Sequence, residues 1–146
     1  MPKYAQTIGF IGAGVLGNGL ALALSAKGYK VTAAYSQSVA SAQRLANQVS
    51  SCQVACNAQT LADAVDIVFI TTPDWAISKV TKSITWRPGQ GVVHCCGSAS
   101  IEILKSATDQ GAVPGALHPF QTFGGVSNPT DAVTRLSGVT LSLIHI

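Results

Sequence analysis

Short apolar runs alternate with longer amphipathic segments along most of this chain. "TIGFI" (Thr7–Ile11) reads as a buried strand. The segment after it, "GVLGNGLALALSAKG", carries Leu16, Leu20 and Leu24 on one helical stripe and ends at Gly28. "KVTAAY" (Lys30–Tyr35) is a second strand, and "SVASAQRLANQV" a second helix with Ser38 as its expected N-cap. A weak strand over Gln53–Ala55 and a short helix over Leu61–Val65 come next. "DIVFITT" (Asp66–Thr72) is the clearest strand and Pro73 ends it. Asp74 is expected to cap a helix over Trp75–Ile84; "GVVHCC" (Gly91–Cys96), a helix over Ser100–Thr108 and "AVPGAL" (Ala112–Leu117) complete the pattern. The strands run apolar without alternation, as they do when both faces of a sheet are covered. Strand–helix alternation of this kind predicts an α/β fold: a doubly wound, mostly parallel sheet with helices on both faces and right-handed crossovers.

"GAGVLG" (Gly12–Gly17) matches GxGxxG. It follows a predicted strand and opens a predicted helix, the context in which the motif binds a dinucleotide. Gly12 would allow the tight turn, Gly14 a close approach of backbone to pyrophosphate, and Gly17 close packing of helix on sheet. Gly12, Ala13, Gly14, Val15, Leu16 and Gly17 are therefore the expected phosphate-binding residues, with free N–H groups and the positive helix end facing the anion. An NAD site commonly has an acid at the end of the second strand to bind the ribose 2′-hydroxyl. Tyr35–Ser38 has none. Ser36, Gln37 and Ser38 are neutral hydrogen-bonding groups, which favours NADP, with NAD as the alternative; Arg44 stands further along the next helix. Thr71, Thr72 and Pro73, after the fourth strand, complete the expected cofactor contacts.

Composition narrows the setting. The 146 residues are 47% apolar and 10% charged, enough to bury one sizeable core. The net charge of +3 comes from 9 basic and 6 acidic residues without a basic run, which argues against nucleic acid as a partner. No stretch reaches the ~18 apolar residues of a membrane span, and "MPKYAQTIGF" has no signal-peptide core. The expectation is a cytoplasmic protein with no membrane or metal partner. Cys52, Cys56, Cys95 and Cys96 read as reduced, buried thiols, and strand geometry sends the adjacent pair to opposite faces.

The stretches "IGFIGAGVLG", "TTPDWAI", "VVHCCGSAS" and "GALHPFQTF" together resemble the Rossmann-like NADP-dependent oxidoreductases of the 6-phosphogluconate-dehydrogenase-like superfamily, and most of all a group in which a helical domain of unknown function follows the Rossmann half. Pyrroline-5-carboxylate reductases and prephenate dehydrogenases are more distantly similar. The resemblance implies hydride transfer to or from a small carbonyl, imine or hydroxyl substrate. It assigns substrate contact and proton transfer to His118 and substrate orientation to Ser98. In one respect the chain departs from the group, which often carries an Arg where Gln37 stands. The resemblance further implies a missing C-terminal helical domain that would also form a homodimer. Residues 1–140 would then be the NAD(P)-binding domain. "LSLIHI" (141–146) would be a non-native tail of the kind a sequencing adapter encodes, or the start of a further strand. The alternatives to an oxidoreductase are a non-catalytic dinucleotide-binding regulator and an inactive truncated fragment.

Overall fold

The computed structural model describes residues 6–119 and 141–145; for His118, Pro119 and 141–145 it describes the backbone only. The elements are β1 (Thr7–Ile11), α1 (Val15–Ala26), β2 (Lys30–Tyr35), α2 (Val39–Gln48), β3 (Gln53–Val54), α3 (Ala58–Ala64), β4 (Ile67–Ile70), α4 (Ile77–Ser83), β5 (Gly91–His94), α5 (Lys105–Thr108), β6 (Val113–Pro119) and β7 (Leu141–His145). The sheet order is β3-β2-β1-β4-β5-β6-β7. The first six strands are parallel, and β7 pairs antiparallel with β6, Leu117 standing opposite Leu143. The strand order reverses direction between β1 and β4, so the crevice outside their carboxyl ends is where such a sheet binds a ligand.

The central strands β1 and β4 are buried on both faces. Ile8 and Phe10 of β1 pack with Leu20 and Ala21 of α1, Leu45 of α2 and Phe69 of β4. Phe10 and Phe69 stack with ring centroids 5.2 Å apart. On the opposite face Val68 and Ile70 of β4 and Val92 of β5 meet Leu61 of α3, Ile77 of α4 and Leu104 and Ala107 near α5. Helices α1 and α2 thus cover one side of the sheet, and α3, α4 and α5 the other. This double coverage is the physical reason the strands read as unbroken apolar runs.

Local signals place most boundaries. Ser38 caps α2, accepting from the Ser41 N–H. Gly28 at φ +94° ends α1, where the Tyr29 N–H returns to the Leu24 carbonyl at 3.0 Å. Several expectations need correction: strand β4 covers Ile67–Ile70 rather than Asp66–Thr72, and β6 runs on to Pro119. Helix α3 begins at Ala58, not at Leu61, because Asn57 accepts from the Thr60 N–H at 2.7 Å and starts the helix early. Asp74 does not cap a helix: it opens a 3₁₀ turn (Asp74–Ala76) behind Pro73, without a side-chain cap bond. The helix expected over Ser100–Thr108 divides into a 3₁₀ segment (Ile101–Leu104) and the short α5, with Ser100 as N-cap. Strand β5 stops at His94, two residues early, because the His94 ring takes the Cys96 N–H that would continue the ladder.

The described cysteines are all unpaired. Cys95 packs on the α1/α2 side and Cys96 on the other, as strand geometry requires, and burial pushes the Cys95 thiol up to about 12. Cys56 is exposed, contrary to the expectation of a buried thiol, because it stands in the turn between β3 and α3.

Candidate functional site

The turn after β1 is fixed by backbone geometry at two glycines. Gly12 has φ +103°, and a Cβ there would lie 2.8 Å from the Thr71 carbonyl carbon and the Thr72 nitrogen. At Gly17 a Cβ would lie 2.5 Å from the Gly12 oxygen and 2.7 Å from Thr71 Oγ1. Helix α1 can therefore seat against the β4 end only without a side chain at 17. Gly14 differs: a Cβ there meets nothing within 4 Å. It faces open space at the mouth of a cleft, where a backbone could meet a ligand.

Gly14 is also the N-cap of α1. No side chain caps this helix, and its first turn carries no acid. The leading N–H groups of a helix have no partner within it, so the end beneath Gly14 is a positive, donor-rich surface. Asn18 braces the loop from below, its buried amide Nδ2 donating to the carbonyls of Ala13 and Gly14, both at 2.8 Å. Sequence reasoning passed over Asn18. The available signal was a weak helix former inside an otherwise apolar helix.

A cleft of about 900 Å³ runs along this edge. Gly12, Ala13, Gly14, Val15 and Leu16 line it from β1 and α1; Ser36 and Gln37 from the end of β2; and Thr71, Thr72 and Pro73 from the end of β4. Ten of the twelve expected cofactor residues thus share one cleft. Gly17 is packed beneath it and Ser38 stands outside its lining. Thr71 spends its hydroxyl on the Gly12 carbonyl at 2.8 Å. Thr72 Oγ1 is buried with no hydrogen-bond partner, an orphaned polar group beside the glycine turn. Trp75 (79% exposed) and Lys79 line the far wall and were not among the expected site residues.

The glycine turn, the open Cα of Gly14, the uncapped helix end and the unpartnered Thr72 hydroxyl fit a dinucleotide. The pyrophosphate would lie over Gly14, Val15 and Leu16, and the adenosine ribose beside Ser36 and Gln37. Arg44 is exposed, and its Nη2 donates to Ser41 Oγ at 3.0 Å; that hydroxyl in turn contacts Ser38 Oγ at 3.1 Å. Ser41 lines the cleft, so Arg44 stands behind its wall.

Ser98 follows β5 and lies outside the residues lining the cleft. Its exposed hydroxyl is 3.3 Å from Cys96 Sγ. The loop that carries it is tied down by His94. The fully buried His94 ring accepts the Cys96 N–H on Nδ1 at 3.0 Å and donates from Nε2 to the Ser100 carbonyl at 3.2 Å. Burial pushes its pKa below the ordinary value, against smaller raising effects of the Ser100 bond and of Asp74. The neutral Nε2–H tautomer satisfies both bonds. His118 belongs to β6, two residues past Ala116, which stands beside His94; its side chain lies outside the described residues. Among the described residues no cluster of His, Cys, Asp and Glu could hold a metal ion. No described helix is long and apolar enough to cross a membrane.

Several solved structures share this architecture. A protein described as an NADP oxidoreductase, from Bacteroides fragilis, is 23% identical with a TM-score of 0.72, covering 91% of this chain and 56% of that one. The 3-hydroxyisobutyrate dehydrogenase of Mycobacterium tuberculosis is 17% identical with a TM-score of 0.73, covering 97% and 46%. The 1-pyrroline-5-carboxylate reductase of Streptococcus pyogenes is 17% identical with a TM-score of 0.68, covering 97% and 49%. The chain spans about half the length of these structures. No curated protein matches the sequence closely enough to count as a relative. A family model described as Rossmann-like domain matches residues 3–119. With its glycine turn at the point where the strand order reverses, the chain belongs to the Rossmann-like domain family.

Proposed function

We infer that this chain is the cofactor-binding part of an NADP-dependent oxidoreductase acting on a small carbonyl, imine or hydroxyl compound. The observation that carries the reading is the open Cα of Gly14 above an uncapped helix end, at the mouth of a cleft that continues to Ser36 and Gln37. The similarity in fold to NADP-dependent and other dehydrogenases supports it.

When bound, the nicotinamide ring supplies the hydride chemistry, and the protein contributes position and proton management. The N–H groups of Val15 and Leu16 would hold the pyrophosphate. Ser36 and Gln37 would meet the 2′-substituted ribose without the repulsion a carboxylate would bring. Thr72 would donate to or accept from the cofactor through its unpartnered hydroxyl. Ser98 and His118 are assigned substrate orientation and proton transfer by resemblance. What supports that assignment is their position after β5 and on β6, neighbouring strands with His94 beside Ala116. An imidazole titrates near neutral pH and suits the proton that accompanies hydride transfer. Residues 1–140 would form the NAD(P)-binding domain, and a homodimer of the whole enzyme belongs to the same proposal.

Trp75 provides the test. It is 79% exposed and lines the cleft, whereas the other tryptophan, Trp86, is buried and bonded to the Thr81 carbonyl. Titrating NADPH into the protein should quench Trp75 fluorescence saturably, and Trp75→Phe should remove most of that signal. A parent protein that binds neither NADPH nor NADH would overturn the reading.

A further inference from the structure

The segment Tyr35–Ser38, where a 2′-phosphate is commonly met, carries no cation. Among the described residues one charged side chain does line the cleft, and it comes from the opposite wall: Lys79 of α4. No carboxylate among the described residues lines the cleft. We propose that Lys79 is the residue that selects a 2′-phosphorylated adenosine, reaching across the cleft to the phosphate that Ser36 and Ser41 flank from the β2 side.

The placement follows from how α4 runs. Helix α4 lines the cleft at Lys79, Val80 and Ser83, and the same cleft takes in Ala58 at the start of α3. Helix α3 packs under β1 and β2. The α4 wall therefore extends from the β4 end toward the β2 end, where the adenosine ribose would lie. The pyrophosphate already has the uncapped end of α1, so the ammonium is not required there. Lys79 is exposed, and its long stem lets the charge move to a ligand at little structural cost. Arg44 lies behind Ser41 with its Nη2 engaged by that hydroxyl, so it reinforces the serine wall rather than lining the cleft. A phosphomonoester carries up to two negative charges, and a lysine meets it as a point charge.

This inference rests on the dinucleotide reading above, and the test separates the two. Calorimetric titrations of the 146-residue chain would use NADPH, NADH, adenosine 2′,5′-bisphosphate, 5′-AMP and inorganic phosphate. The parent should prefer NADPH over NADH, and the bisphosphate over 5′-AMP. Lys79→Ala should weaken NADPH and the bisphosphate by about tenfold or more, the scale of one charge-assisted contact. NADH and 5′-AMP should stay within about twofold, Lys79→Arg should restore most of the loss, and inorganic phosphate alone should bind weakly in every variant. An equal loss for NADPH and NADH would assign Lys79 to the pyrophosphate and overturn the proposal. So would a loss confined to Arg44→Ala, or tight inorganic phosphate binding that Lys79→Ala abolishes while nucleotide selectivity persists. A parent that binds NADPH and NADH equally overturns the selectivity claim alone. A parent that binds neither removes the dinucleotide reading with it.

Discussion

The hydroxyl of Thr71 donates to the carbonyl oxygen of Gly12 at 2.8 Å, tying the carboxyl end of β4 to the turn that leaves β1. The same carbonyl sits where a Cβ on Gly17 would stand, 2.5 Å away. Three residues from two strand ends and one helix therefore close on one point, and the glycine loop has little freedom to move. Gly17→Ala should destabilise the fold by about 2 kcal/mol, the cost of overpacking against atoms that cannot shift. That is a fall of roughly 5 °C in Tm for a domain of this size. Gly14→Val should leave Tm within about 2 °C, because its side chain enters open space, yet abolish NADPH binding. Thermal melts beside NADPH titrations of the two variants check the contrast; a Gly14→Val protein that binds normally would remove the phosphate site from this loop.

Cofactor choice tests the β2 end. Without an acid among Tyr35–Ser38, the protein should bind NADPH more tightly than NADH. Ser36 lines the cleft, so Ser36→Asp brings a carboxylate against a 2′-phosphate and offers an acceptor to a 2′-hydroxyl. The variant should reverse the preference, read as the ratio of the two dissociation constants. A ratio unmoved by the substitution would place the ribose elsewhere.

His94 links pH to stability. Its ring is neutral and buried, with Nδ1 accepting from the Cys96 N–H. Protonation would set a donor against a donor and charge a buried group. Its folded-state pKa lies below the ordinary 6.5, so the unfolded chain takes up the proton first as pH falls. The contribution is full above about pH 6.5 and is lost as pH drops through the lower folded-state value. Unfolding midpoints should therefore fall between pH 7 and pH 5. His94→Gln should be less stable at pH 7 and should show a flatter slope over that range. A variant with the parent's slope would clear His94 of the effect.

Turnover tests the assignment of His118 and Ser98. In the proposed oxidoreductase, His118→Asn should lower kcat for NADPH oxidation by ~10²-fold or more, the range for a lost general acid or base. NADPH affinity should stay within about threefold. The residual rate should lose its neutral-pH inflection. Ser98→Ala should weaken substrate use more than cofactor binding, because Ser98 lies outside the lining of the cofactor cleft. An unchanged kcat and pH profile in His118→Asn would return that residue to a structural role.

Much of the fold is legible in the chain because its signals are local. The runs Thr7–Ile11 and Lys30–Tyr35 form strands with those bounds, Ser38 caps α2, and Gly28 stops α1, since each depends on a few neighbouring residues. GxGxxG between a strand and a helix carries its own geometry, and the conformational need at Gly12 and the packing need at Gly17 are met as the motif implies. What sequence alone could not decide involves groups brought together from distant positions. The early end of β5 depends on an imidazole bending back to the Cys96 N–H and bracing the Ser100 carbonyl. Whether Ser98 joins the cleft depends on where that braced loop points. Lys79 lies in no motif, and the stretch that holds Trp75 gave it no role; both enter the cleft only because the 3₁₀ turn after β4 and the helix α4 behind it lie along the same crevice as the glycine turn. Periodicity and caps record the conformation of short segments. The contents of a cleft are set by how separate segments pack, and that information resides in no single stretch of the chain.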